Sequence, residues 1–276
     1  MRNRFFLLFL VSLLAGQIVQ SQIFRFPTRN ADAPAGSEFV RKVQNLDAVE
    51  RDTMVYREIA AGNIPESLRQ YFSLTDSLTD AYGKRHIVTI YILPDFLAIG
   101  SDCDFIRIPM LPQTAGKLAG LYGAVLPTRK ISDLIHRHSG QKMNPHPMTP
   151  DSTMTTMKVF ARHDSIVEAE RKMADKPLNT LIAGHKKDIV ITNRIASEPG
   201  RLFIYGWHYP DGKAIQPLSA AHSTSYVDYS HGVRLVSDCV VVDGKLFSIK
   251  DLLQDPVMYA LLSDEPGPMR IIQYPQ

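Results

Sequence analysis

Residues 233–242 read Val-Arg-Leu-Val-Ser-Asp-Cys-Val-Val-Val, an apolar run whose polar breaks are Arg234 and the pair Ser237-Asp238. Valine is stiff at χ1 and packs well on a pleated, half-buried surface, so Val233–Val236 and Cys239–Val242 are expected to be strands. Asp243-Gly244 supplies a turn directly after them. Upstream, Asp188–Thr192 and Leu202–Trp207 have the same β-branched and aromatic character, with a further turn at Pro210-Asp211-Gly212. Two short helices near residues 249–262 close the chain.

The first half has a different texture. Ser37 is a suitable N-cap for a helix whose face carries Phe39, Val40, Val43, Leu46 and Val49. A second helix covers the MVYREIAAG stretch and stops at Gly62, and a third short one starts at Pro65-Glu66. HIVTIYIL, His86–Leu93, is the one long buried strand of this half, followed by short strands at Phe96–Ile99 and Phe105–Ile108. Pro112–Leu121, a segment capped by Thr128, and Thr155–Ala174 are helical, with a proline-rich loop at Gly140–Ser152. Helices and strands are segregated more than alternated. The expected class is therefore α+β, with a helical N-terminal part and a mostly antiparallel sheet concentrated in the C-terminal half.

The N-terminus sets the expected location. Arg2 and Arg4 precede the apolar run Phe5–Ala15, and Val19 and Ser21 are small enough for a peptidase site, so residues 1–21 read as a secretory signal peptide. That run is shorter than the roughly 20 residues a membrane-spanning helix needs. Gln17 stands where a lipoprotein signal would carry cysteine, so the expectation is a free periplasmic or secreted protein without a membrane anchor after cleavage. Residues 22–36 then form a flexible lead-in, and residues 37–276 a single domain.

Removing the leader leaves 29 basic against 28 acidic side chains, a formal charge of +1. A nearly neutral chain lacks the single-sign field that nucleic-acid binding needs. The glycine patterns for dinucleotides and phosphates are missing, so no nucleotide cofactor is expected. Cys103 and Cys239 are the only cysteines, and whether they pair is left open.

Four of the nine histidines, His185, His208, His222 and His231, fall in the strand-rich C-terminal part. They accompany Tyr205, Trp207, Lys187 and Arg234, and Asp228-Tyr229-Ser230-His231 places an acid, a hydroxyl and an imidazole side by side. Loops on a rigid sheet can aim such groups at one point. Two mechanisms use these types. His222, Asp228 and His231 suit a divalent ion such as zinc, with an open position that activates water. Without a metal, a His/Asp pair acts as general base, with Asp228 or Asp188 orienting the imidazole. In an extended strand Asp228 and His231 would face opposite ways, so they converge only if the chain turns at Ser230-His231-Gly232. A satisfied core histidine is the bland alternative for each imidazole taken singly.

Other candidates are weaker. Asp95, Asp102 and Asp104 suggest a carboxylate group, but the spacing of a calcium loop is not there. Cys103 lies between two aspartates, which disfavours its thiolate. The G-x-S-x-G nucleophile pattern is absent.

At Pro94–Asp102, Leu126–Lys130, Gly184–Asp188 and Tyr226–Gly232 the chain resembles an uncharacterised family of exported bacterial proteins, a resemblance that covers most of the mature chain and brings no established activity. More loosely it is similar to cell-wall peptidases of the cysteine type, although no cysteine opens a helix ahead of the sheet. The sequence thus points to an exported hydrolase acting on a cell-wall or other extracytoplasmic polymer, or on a small molecule there. Its catalytic groups would be His231, Asp228, His222 and His185; Trp207, Tyr205, His208, Lys187 and Arg234 would hold substrate. The alternative is a non-catalytic glycan- or cell-wall-binding protein whose aromatics, Trp207, Tyr205, Tyr209 and Tyr226, stack on sugar rings.

Overall fold

A computed structural model describes residues 23–275, which hold eight helices and thirteen strands in a mixed α+β arrangement. The expected leader over residues 1–21 lies outside the described residues. No helix among those described is long and apolar enough to cross a membrane.

Residues 23–35 contain no helix or strand and lie against the body: Ile23 is buried, the Phe26 ring sits 4.4 Å from that of Tyr122, and Arg29 Nε donates to Asn63 Oδ1. The first helix, α1 (Gly36–Val43), has Ala35 at its N-cap. Ser37 is therefore not the cap expected of it. Its N–H and hydroxyl both reach out to the Asp104 carboxylate, which competes successfully for the same hydrogen bonds. Helix α2 (Ala48–Ala60) opens with a reciprocal capping box between Asp47 and Glu50, and Pro65-Glu66 leads into a single 3-10 turn, Glu66–Arg69.

The larger sheet takes strands from both halves of the chain. β1 (Phe72–Thr79) pairs antiparallel with β2 (Arg85–Ile92). In it only Leu74 and Leu78 are fully buried between exposed serines and threonines, which is why the sequence alone did not mark it. A β-hairpin, β3 (Ala98–Ser101) and β4 (Asp104–Arg107), forms around the acidic turn. Helix α3 (Pro112–Leu121), the short β5 (Ala124–Val125) and helix α4 (Arg129–His138) follow, the last capped by Thr128 Oγ1 accepting from Ile131 N at 3.1 Å. β6 (Gln141–Lys142), helix α5 (Met157–Met173) and β7 (Ile182–Ala183) complete the middle of the chain, with β6 and β7 paired in parallel.

The smaller sheet carries the histidine-rich region. Its order is β10 (Ala214–Ser223), β9 (Arg201–His208), β8 (Lys187–Ile189), β11 (His231–Gly232), antiparallel except for the parallel β8–β11 pair. Helix α6 (Arg194–Ser197) separates β8 from β9. The expected strand at Asp188–Thr192 begins one residue earlier and is shorter, while Val190 continues as extended backbone hydrogen-bonded to Phe203 O at 3.0 Å.

The 233–242 stretch joins the two sheets. Val233 and Leu235 belong to neither: their carbonyls accept from Leu97 N and Leu93 N, and β12 (Val236–Val242) begins only at Val236. β12 then pairs with β2, β5 and β13 (Lys245–Ser248), making a five-stranded antiparallel sheet. Val236, Val240 and Val242 are buried, each worth about 1.5–3 kcal/mol of removed apolar surface. Helices α7 (Ile249–Gln254) and α8 (Tyr259–Leu262) close the chain. Cys103 is exposed, Cys239 is buried in β12, and both are free.

Candidate functional site

The parallel β8–β11 pair brings His231 into register with Lys187 and Gly232 with Asp188. Residues in register on adjacent strands project to the same face, so the Lys187 side chain accompanies the His231 imidazole. Asp228 reaches the same place through a turn that precedes β11: His231 N donates to Asp228 O at 3.2 Å, and Asp228 Oδ1 accepts from Ser230 N at 2.8 Å and from Ser230 Oγ at 2.6 Å. The turn expected at Ser230-His231-Gly232 thus lies at Asp228–His231 instead. Gly232 serves for close packing: a Cβ there would stand 2.6 Å from Phe96 Cδ1 and 2.8 Å from Lys186 Cβ.

His222 arrives from the far end of β10, whose register with β9 shifts twice, between Gln216 and Ser219 and between Ser219 and His222. Pro217 lacks the N–H a regular ladder needs, which fits an edge strand with irregular pairing. The Tyr226 ring stacks on His222 with centroids 4.2 Å apart, and its hydroxyl donates to Asp228 Oδ2 at 3.3 Å. One ligand atom each from His222, Asp228 and His231 lies within 4.8 Å of the others.

Burial decides the protonation states. His231 is 1 % exposed and neither ring nitrogen has a hydrogen-bond partner; its nearest carboxylate oxygen, on Asp228, is 3.8 Å away. Burial lowers its pKa to about 4 despite the pull of Asp228, and burial also lowers that of His222. Burial alone would raise Asp228, but His231, the Ser230 hydroxyl and Lys187 together hold it below the ordinary carboxylate range. Two neutral imidazoles and one carboxylate are the protonation states in which these groups ligate metal. Neither nitrogen of the buried His231 ring is engaged, so whichever one carries the lone pair is free to ligate, and the donor set fits a divalent ion of the zinc type. Lys187 Nζ lies 4.7 Å from the Trp207 ring, its pKa lowered by burial.

The remaining candidates go elsewhere. His185 is wholly buried, with Nε2 3.0 Å from Asp95 Oδ1, inside an ionic network in which Arg107 bonds Asp95, Asp164 and Glu168. Its pKa, lowered to about 4 by burial, describes a neutral core imidazole. Arg234 is no substrate ligand in this arrangement: its guanidinium is buried and donates to the carbonyls of Leu93 and Ile182, tying the linker between the two sheets. Trp207 borders the site, but it is 6 % exposed and its Nε1 donates to His185 O at 3.2 Å, so it offers no open face for stacking. Tyr205 and His208 both turn to Asp133 on α4, away from the His222–Asp228–His231 set.

Asp95, Asp102 and Asp104 do not converge either. They bond His185, Ser67 and Ser37 respectively. Sequence reasoning gave no site role to Ser230, Asp133 or His136. Ser230 stood next to His231 and was legible as a neighbour only. Asp133 and His136 lie on a helix far along the chain from Tyr205 and His208, and no local pattern signals the pairing. Comparison of the chain with known protein families, with characterised proteins and with solved structures returns no match.

Proposed function

We propose that this protein is a hydrolase whose reactive centre is the His222, Asp228 and His231 set holding a divalent ion, zinc being the best suited, and whose substrate is a cell-wall or other extracytoplasmic polymer. The observation that carries the reading is the convergence of three ligand atoms within 4.8 Å around a buried imidazole with no other hydrogen-bond partner. A bound ion of this kind lowers the pKa of a coordinated water and polarises a carbonyl. The chain's own residues prepare the place for it. Ser230 and Tyr226 fix the Asp228 carboxylate, Tyr226 fixes the His222 ring, and Lys187 offers a positive charge for an anionic or developing negative group of the substrate. The polymer is inferred from the sequence, through the leader read at residues 1–21.

The test is the metal content of the purified protein by mass spectrometry, as isolated and after zinc addition and desalting. Close to one zinc per chain, lost in His222→Ala and His231→Ala, supports the reading. No retained metal in either sample removes the metal and leaves general-base chemistry by the same residues or a non-catalytic binding role.

A further inference from the structure

A second polar centre shares no side chain with the first. Asp133 Oδ1 accepts from the Tyr205 hydroxyl at 2.8 Å and from His208 Nε2 at 3.0 Å. Because an ionised carboxylate only accepts, His208 carries its hydrogen on Nε2. His136 lies one helical turn beyond Asp133 on α4, and its ring stacks on that of His208, with centroids 4.6 Å apart and planes at 24°. These groups line a hollow of about 410 Å³ together with Arg137 and Lys142.

Two features mark this hollow as built. His136 is 4 % exposed, lines the hollow, and has a buried Nε2 without a hydrogen-bond partner; burial lowers its pKa to about 4, so it is a neutral group with unused bonding capacity. The backbone that delivers His208 is also unusual. Gly206 and Trp207 both take left-handed conformations, at φ 98° and 54°. A bulky aromatic residue rarely adopts positive φ, and such outliers persist where the surrounding structure imposes them and cluster at functional sites. A Cβ on residue 206 would come within 3.0 Å of His208 Cε1, so the glycine also makes room for the ring.

We propose that this hollow binds a saccharide unit. Its size falls within the range of small-molecule sites. Asp133 Oδ2, with no hydrogen-bond partner among the described residues, and Asp211 accept hydrogen bonds, while Arg137 and Lys142 donate them. A purely anionic ligand would meet the two carboxylates, and a purely cationic one the two basic side chains. Hydroxyl groups donate and accept at once, so a polyol satisfies both kinds. The half-buried Tyr205 ring supplies a flat face that the apolar side of a sugar ring packs against, and the unpartnered Nε2 of His136 supplies a further hydrogen-bonding group.

The experiment is an NMR and calorimetric titration of the full chain with two probes, the tetramer of β-1,4-linked N-acetylglucosamine and cellotetraose. One of them is expected to bind and to shift the His136 and His208 imidazole signals. Asp133→Asn and His136→Phe are each expected to weaken binding about tenfold or more, the scale of a lost hydrogen bond to a charged or buried group. Lys142 is exposed, so Lys142→Ala keeps the fold and is expected to weaken binding as well. His231→Ala binds as the parent does, which separates this site from the hydrolytic one. Binding of neither tetrasaccharide at millimolar concentration overturns the proposal. So does binding that leaves the His136 and His208 signals unmoved, or equal affinity in folded Asp133→Asn and Lys142→Ala.

Discussion

The His231 imidazole and the Asp228 carboxylate stand 3.8 Å apart, close enough to share a cation and too far to share a hydrogen bond. The carboxylate oxygen facing the ring is already occupied by the N–H and hydroxyl of Ser230. A fully buried imidazole left in this way is a cost to the fold.

Replacing that ring by a hydrocarbon of similar bulk is therefore expected to separate stability from function. His231→Leu removes an unsatisfied polar group worth about 1–3 kcal/mol, so urea unfolding in the presence of a chelator is expected to show equal or greater stability than the parent. Metal retention and activity are expected to vanish. Substantial destabilisation of the metal-free variant would mean that the ring serves the core.

Gly232→Ala is expected to destabilise by about 1–3 kcal/mol, because the added methyl meets Phe96 and Lys186 at overlapping distance. Combining it with Phe96→Leu, which clears that contact, is expected to cost less than the sum of the two single changes in denaturant unfolding. Strict additivity would show that the glycine matters for some other reason.

Arg107 is buried among Asp95, Asp164 and Glu168. Arg107→Met leaves carboxylates uncompensated in the core and is expected to cost about 3–5 kcal/mol. The same substitution made together with Asp95→Asn and Asp164→Asn is expected to recover much of the loss, measured as unfolding midpoints at constant pH.

The dependence of stability on pH has two opposed limbs. His86 bonds Asp243 and Asp80 and faces Lys84; the Asp243 hydrogen bond is the main cause raising its pKa, against opposing burial. A raised folded value stabilises fully below the unfolded value of 6.5, and that contribution is lost as pH climbs through the folded value. His163 runs the other way: burial lowers it to about 2, so the unfolded chain takes up a proton below pH 6.5 that the folded chain refuses, and stability falls with pH. Thermal melts are expected to peak near neutrality. Asp243→Asn is expected to flatten the alkaline limb and His163→Asn the acid one; an alkaline limb unchanged by Asp243→Asn would remove His86 as its source.

Much of the fold was legible because the β-branched and aromatic runs at 86–93 and 202–207 state their own conformation, as does the Pro112 helix start; the two strands read at 233–236 and 239–242 are one strand, Val236–Val242, with Val233–Leu235 outside it. β1 was not, since two leucines among serines and threonines give too little apolar signal for a strand whose burial depends on β2. The candidate site was legible in part. Asp228 and His231 are close in sequence, and His222 is near, so composition alone gathered them. His185, His208, Tyr205 and Arg234 looked equally eligible, yet each is claimed by a partner far away in the chain, Asp95, Asp133 or a main-chain carbonyl. Nothing in a local window announces such partners.

β11 is two residues long and pairs with a strand that ended more than forty residues earlier. The β9–β10 hairpin between them closes a short loop and can form early, whereas the β8–β11 pairing must wait for a much larger loop to close. His222, at the end of that hairpin, is therefore expected to be in place before Asp228 and His231, which one turn carries together. Closing that larger loop brings Asp228 and His231 to His222, so under the proposed chemistry competence depends on the costlier of the two pairings.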